Sequence, residues 1–447
     1  MTNVVLVGTL DTKGVEYGWL RERLLRAGVE VVLVDTGIMG EPRVAADVSR
    51  AAVARAAGTE LSLLRSAADR GAAVTTMARG AEATLLRLHA EGRLHGVLAI
   101  GGSGGTSIAT RAMRALPLGV PKLMVSSMAS GDTAPYVGSS DITMMYSVVD
   151  IAGINSVSAP ILANAVAAIA GMAGSFARVS AEHPPRLGAG PRPLVAASMA
   201  GVTTSGVDAA RERLTELGYE VLVFHVSGTG GRTLETLAAQ GIFAGVLDLT
   251  LSELADDLCG GILTAGPDRL SAAGRAGVPQ VVSLGALDMV KFGPLESLPQ
   301  RVLDRGVHVH NPSITVIRTS EAECAELGRR VAAKLRAATG PTAVCVPLRG
   351  LSTLGAPGGP YHDPRADRAL FSALREGLRG SAARLYDYDT HINDPAFGRA
   401  AADRLHAMIA AVPGGGGGGR PGGGRPPRAP PPHPPAAKHK RETQTKH

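Results

Sequence analysis

One phrase is written twice along this chain. Arg21-Glu-Arg-Leu…Gly28-Val-Glu-Val-Val-Leu-Val34 returns as Arg211-Glu-Arg-Leu…Gly218-Tyr-Glu-Val-Leu-Val-Phe224. Two further echoes follow in the same order: Gly96-Val-Leu-Ala-Ile100 with Gly245-Val-Leu-Asp-Leu249, and Gly119-Val-Pro-Lys-Leu-Met-Val-Ser126 with Gly277-Val-Pro-Gln-Val-Val-Ser283. The repeated runs are continuously aliphatic, as strands buried on both faces of a parallel sheet must be. Between the runs at 3–7 and 30–34 lies a helical pattern over 15–27, stopped by Gly28. That is one βαβ unit, with a right-handed crossover. An ordered set of such units, repeated, predicts an α/β protein with two tandem Rossmann-like domains on parallel sheets. The domains are expected at 1–183 and 194–411, joined by a Pro- and Gly-rich linker at 184–193.

Composition narrows what these domains bind. Hydrophobic residues are 45% of the 447 but aromatics only 3%, so the core is built from Ala, Val, Leu and Ile. A stacking platform for single-stranded nucleic acid, which needs aromatics on a basic groove, is not expected. The formal charge of +7 sits almost wholly beyond Val412, where Arg420, Arg425, Arg428, Lys438, Lys440, Arg441 and Lys446 face only Glu442. That stretch, 412–447, is low in core-forming residues and rich in Gly and Pro, and it is expected to be a disordered basic tail. No specific nucleic-acid partner is expected of the folded part.

Cys259, Cys324 and Cys345 lie far apart with no C-x-x-C pair, which fits reduced, packed thiols. The first residues run straight into a strand, without a basic n-region and apolar h-region. The window Ile151–Phe176 is apolar but Ala- and Gly-rich and broken by Asn155, Pro160 and Asn164, so it is read as a buried helix and not a membrane span. A cytoplasmic protein with no membrane partner is expected.

The chemistry gathers in the turns after the strands. Gly96-Val-Leu-Ala-Ile-Gly-Gly-Ser-Gly-Gly-Thr-Ser107 passes from a strand through four glycines into a helical pattern at 106–116. Such a turn offers backbone N–H groups and a positive helix end to an anion, and without Cβ atoms the backbone approaches closely. It is neither a P-loop nor a G-x-G-x-x-G fingerprint. In an open parallel sheet the ligand lies beyond the carboxyl ends of the strands. Four loops converge there in the first domain. Their inventory is Gly8, Thr9, Asp11, Thr12 and Lys13; Asp35; Gly101, Gly102, Ser103, Gly104, Gly105 and Thr106; and Ser130, Gly131 and Asp132. Amides and hydroxyls would hold phosphates, Lys13 would add charge, a carboxylate could hold Mg²⁺ through water, and Asp35 stands where an acid takes a ribose hydroxyl. Asp11 and Asp132 equally fit turn or cap positions, and Lys13 a solvated lysine.

The second domain has no such glycine run. Thr203, Thr204, His225, Gly230, Asp248, Glu253 and His310 would line its cleft, and Gly228-Thr-Gly-Gly231 at a helix start is a second anion candidate. His308 and His310, two apart on an extended segment, point the same way, but no third ligand at a characteristic spacing supports a metal. No nucleophile–base–orienter set is visible, so whether the chain is an enzyme stays open. The alternative to nucleotide binding is a hydrolase- or lyase-type enzyme acting on a small phosphorylated or carboxylated metabolite in the inter-domain cleft.

Gly8-Thr-Leu-Asp-Thr-Lys-Gly14, Gly101-Gly-Ser-Gly-Gly-Thr106, Met128-Ala-Ser-Gly-Asp132 and Tyr146-Ser-Val-Val-Asp-Ile-Ala-Gly-Ile-Asn155 together resemble a largely uncharacterised microbial family. That family shares its fold with the ATP-binding N-terminal region of the tomato mosaic virus resistance protein. The resemblance continues through Phe224-His225, Glu253-Leu-Ala-Asp256, His308-Val-His-Asn-Pro312 and His391-Ile-Asn-Asp394, and covers about residues 1–411. It implies two Rossmann-like subdomains, ATP with Mg²⁺ in the first, and self-association as a homodimer or higher homo-oligomer. The family's loop at 201–207 reads Gly-Val-Thr-Thr-Pro-Cys-Val, whereas here Ser205 and Gly206 replace Pro-Cys. Any second-domain chemistry that used that cysteine is missing from this chain.

Overall fold

The computed structural model describes residues 1–67, 69–182 and 190–412. The tail beyond Val412 and most of the expected linker lie outside the described residues. In chain order the strands are β1 (Asn3–Gly8), β2 (Glu30–Asp35), β3 (Gly96–Gly101), β4 (Lys122–Ser126), β5 (Thr143–Tyr146), β6 (Leu194–Met199), β7 (Glu220–His225), β8 (Gly245–Thr250), β9 (Gln280–Gly285), β10 (Met289–Phe292), β11 (Val307–Asn311), β12 (Ile314–Arg318), β13 (Thr342–Pro347) and β14 (Arg384–Tyr388).

Sheet one is parallel, with order β2-β1-β3-β4-β5, and the α/β class follows as expected. Side chains alternate across a strand, so β1 feeds two cores at once. Val4 and Leu6 pack with Tyr17, Leu20 and Leu24 on one face, while Val5 and Val7 pack with Met77, Leu85 and Ile108 on the other. Helix Ser158–Glu182 covers the first face with Leu162, Ala165, Ile169 and Ala173. Its length and composition would allow it to cross a membrane. Only one side is buried: Ala163, Ala167 and Gly171 are exposed, so the expectation of a wholly buried helix holds for one face alone.

Sheet two repeats the plan with one more strand, β7-β6-β8-β9-β13-β14 in order, again parallel. The departure is an inserted three-stranded antiparallel sheet, β10-β12-β11, between β9 and β13. Helix Glu321–Arg336, which follows it, starts on a capping box in which Ser320 and Glu323 satisfy each other's backbone amides. In both sheets the chain leaves the first strand in opposite directions, toward β2 and β3 in one, and toward β7 and β8 in the other. The crevice opened where strand order reverses is the place this fold offers to a ligand. The two crevices have met opposite fates.

Candidate functional site

At the first crevice β1 and β3 pair only from Val4 to Leu6 and then part. Tyr17 fills the gap. Its hydroxyl donates to the Val7 carbonyl at 2.5 Å and accepts from the Ile100 N–H at 3.0 Å, satisfying backbone groups that the parted strands no longer satisfy for each other. The ring is wholly buried, and burial pushes the phenol's pKa up, so the hydroxyl stays protonated.

Above this floor lies a cavity of about 680 Å³, the size of a cofactor site. Thr9, Asp11, Thr12 and Lys13 line it from the first loop, Thr36 to Met39 from the second, and Gly101 to Gly105 from the third. Helix Leu10–Arg26 begins within the stretch read as a loop and breaks stride at Lys13, whose φ is −119°. The glycine run also lies inside a helix: Ser103–Arg114 starts at its serine, with Gly102 at the cap. Its first helical bond runs from the Thr106 N–H to the Gly102 carbonyl at 2.9 Å. The N–H groups of Ser103, Gly104 and Gly105 therefore have no acceptor within the helix, and they stand at its positive end.

Three cavity residues carry a signal the sequence reading did not use. Within 59–92 the structure has two helices, Leu61–Ser66 and Arg70–Ala90. The break brings Arg65 and Arg70 to the cavity wall. Arg70 makes no hydrogen bond or ion pair with the described residues, and its guanidinium lies 3.8 Å from where a Cβ on Gly104 would stand. The third is Asp150, on a strap that folds back over the first loop. The Lys13 ammonium donates to the Ile151 carbonyl, and the Gly153 N–H donates to Glu16 at 2.5 Å. Val148 on this strap has a φ of 63°, a costly value for a β-branched residue and of the kind found where a loop is held in place for a task. Ile38, Met39, Leu64, Val74, Met77 and Ile108 supply the apolar part of the lining, and the Arg65 guanidinium donates to the Ile38 carbonyl among them.

Other expected residues are engaged elsewhere. Asp35 is buried, taking the N–H groups of Leu10 (3.1 Å) and Gly37 (2.8 Å) on one oxygen and Arg50 (2.7 Å) on the other. It is a strut under the site and has no oxygen left for a ribose. Thr106 is buried against the Ser126 hydroxyl at 2.6 Å. Asp132 accepts from the Ala134 N–H at 3.0 Å at the start of a short helix, and with Ser130 and Gly131 it does not line the cavity.

At the second crevice the seat is taken by the protein itself. The amides of Gly228 and Gly231, expected to hold an external anion, both donate to Glu253, at 2.6 and 3.0 Å. Glu253 in turn meets the wholly buried Arg269 at 2.7 Å, and Arg269 forks onto both oxygens of Asp248 at 2.5 and 2.7 Å and reaches Glu235 at 3.3 Å. Ser198 bridges Asp248 and the Thr250 N–H, and Thr203 pairs with Thr250 at 2.8 Å. Asp248, Glu253 and Thr203 are thus brought together, but as a buried lattice. Gly230 is needed because a Cβ there would meet the His225 carbonyl at 1.8 Å. The Thr204 hydroxyl donates to backbone carbonyls, His225 is exposed, and His310 lies on the fully exposed strand β11 of the inserted sheet. Among the described residues no group of three or more His, Cys, Asp or Glu side chains is placed to hold a metal ion. Burial pushes the thiols of Cys259 and Cys345 up to about 12 and about 11, so neither is a thiolate near neutrality.

Residues 2–178 match the N-terminal domain, and residues 192–409 the C-terminal domain, of an uncharacterised protein family, UPF0261. A UPF0261 protein of Clostridium tetani is 44% identical over 406 residues, spanning 91% of this chain and 98% of its own. One from Rhizobium meliloti is 44% identical over 402 residues, with 90% and 98% covered. The ToMV resistance protein Tm-1 of Solanum lycopersicum is 42% identical over 316 residues, 70% of this chain but 41% of its own length.

Proposed function

This chain belongs to the uncharacterised protein family UPF0261, and we propose that it binds ATP with Mg²⁺ at the β1/β3 crevice of its first domain. The observation that carries the reading is the set of helix-start amides at Ser103, Gly104 and Gly105, without acceptors within the helix, opening onto a cavity of about 680 Å³ lined by both cationic and apolar side chains. Phosphates suit the Ser103, Gly104 and Gly105 amides, because an anion there completes donors that have no acceptor within the helix, with Arg70 and the already engaged Thr9, Thr12 and Lys13 lining the same cavity. The apolar part of the lining offers a nucleobase a dry face. Asp150, beside the Lys13 contact, is the carboxylate at the phosphate end and could hold Mg²⁺ through water. The lattice around Arg269 supports a purely structural role for the second crevice.

Gly104→Asp tests the reading. A Cβ at Gly104 has only the mobile Arg70 guanidinium within 4 Å, so the variant should fold. Its carboxylate would occupy the amides that phosphate needs. Calorimetric titration of Mg-ATP is expected to show binding to the wild type and at least a roughly tenfold loss, about 1.4 kcal/mol, in the variant. A folded wild type that takes up no nucleotide would end the proposal.

A further inference from the structure

We infer that Arg70 sets the substrate class of the first crevice: with the glycine-run amides it clamps one phosphoryl group, so that the site takes phosphorylated compounds and recognises the phosphate independently of any nucleoside. The inference rests on the nucleotide reading of the same cavity and deepens it. Three cations line that cavity, and two of them are engaged by the protein, the Lys13 ammonium by the Ile151 carbonyl and the Arg65 guanidinium by the Ile38 carbonyl. Arg70 makes no hydrogen bond or ion pair with the described residues, so its guanidinium is the one left for a ligand. Three carboxylates, Asp11, Asp69 and Asp150, line the cavity too. With Arg70 the lining is formally neutral. Without it the lining is negative and repels a phosphate.

Arg70 is also in the right place. Its Nη2 lies 3.8 Å from where a Cβ on Gly104 would stand. In a helix that bond tilts toward the N-terminus, the direction in which the free N–H groups of Ser103, Gly104 and Gly105 point. An oxygen seated on those amides is therefore within reach of the guanidinium.

The electrostatics of the empty site agree. Arg70 is the first residue of helix Arg70–Ala90, directly after its Asp69 cap, and a cation at the positive end of a helix is unfavourable. Further along, Arg111 of helix Ser103–Arg114 meets Glu82 of helix Arg70–Ala90 at 3.1 Å. The two helices thus run in the same sense, and both bring their positive ends to the cavity. A guanidinium at two positive helix ends, with no ion pair of its own, is an arrangement that a bound phosphate relieves. Its planar fork can take two oxygens of a phosphoryl group while the amides hold a third.

The probe is pyrophosphate, titrated by calorimetry beside ATP and adenosine, all with Mg²⁺, into the wild type, Arg70→Gln and Arg70→Lys. Arg70 is exposed and unbonded, so both variants should fold, with unliganded melting temperatures no lower than that of the wild type. The wild type is expected to bind pyrophosphate. Arg70→Gln should bind pyrophosphate and ATP about ten- to a hundredfold more weakly, the range for hydrogen bonds to a charged group. Arg70→Lys keeps the charge without the fork and should fall between. Adenosine should bind all three proteins alike, which a merely structural role for Arg70 does not predict. Pyrophosphate and ATP bound as tightly by Arg70→Gln as by the wild type overturn the inference but leave the nucleotide site standing. Pyrophosphate held through Arg70, with ATP no tighter and adenosine unbound, ends the nucleotide reading and keeps the clamp. A wild type that binds neither pyrophosphate nor ATP overturns both.

Discussion

An Arg269→Met variant is expected to lose most of the stability of the second domain while the first domain stays folded. The guanidinium is wholly buried and answers three carboxylates, Asp248, Glu253 and Glu235. Burial alone would lower its proton affinity, but these acids reverse the effect and hold it well above the ordinary value, so it is charged at any working pH. Methionine matches the stem and removes the charge. Glu253, itself fully buried, would keep two backbone donors, but Asp248 would keep only the Ser198 hydroxyl. Breaking a buried pair by removing one partner costs about 3–5 kcal/mol. Against a domain's total of about 5–15 kcal/mol, that takes away a large share. Denaturant unfolding should show a second-domain transition moved far toward the origin, with Mg-ATP titration unchanged. Arg269→Lys should fall between, because one ammonium cannot reproduce a fork that meets Asp248 on both oxygens and Glu253 at once. A loss below about 1 kcal/mol would mean that the carboxylates are protonated or hydrated in the folded state, and the lattice would not be what closes this crevice.

This lattice also marks where sequence reading stopped. The strands were legible because Val4 to Val7, Val31 to Val34 and Val97 to Ile100 are unbroken aliphatic runs, and the repetition of their flanks announced a second domain. The glycine run was legible as an anion seat, although its residues turned out to form the first turn of the helix and not a loop before it. Individual roles were harder, because a carboxylate's task depends on which cation folding brings to it. Asp35 meets Arg50 fifteen residues on, and Glu253 meets Arg269 sixteen residues on, at spacings that belong to no motif. Arg65 and Arg70 were hidden because the helix that starts at Arg70 is announced by no Gly or Pro, only by the Asp69 cap. The inserted sheet was missed for a related reason. Its strands are four or five residues long, and β11 is exposed on every residue, so no burial pattern betrays it.

Gly8→Ala is expected to destabilise the first domain by about 3 kcal/mol or more, beyond the usual cost of one extra methyl in a core. The added Cβ would stand 2.0 Å from the Tyr17 hydroxyl oxygen and 2.1 and 2.2 Å from two ring carbons. Tyr17 cannot retreat, since its hydroxyl is tied to Val7 and Ile100 and its ring is packed among Leu6, Leu20 and Leu24. Nor can β1, which is held in register by β2 along its whole length and buried on both faces. Tyr17→Phe alone should cost about 1–3 kcal/mol, because it orphans the Ile100 N–H and the Val7 carbonyl. Combining Gly8→Ala with Tyr17→Phe should bring little relief, as the ring carbons remain in the way. Combining it with Tyr17→Ala should cost clearly less than the two single changes added together, since the second deletion empties the space the first requires. Thermal melts of the three single and two double variants decide it. Strict additivity between Gly8→Ala and Tyr17→Ala would show that the methyl is accommodated by backbone movement, and that Tyr17 is not the wedge that keeps the crevice open.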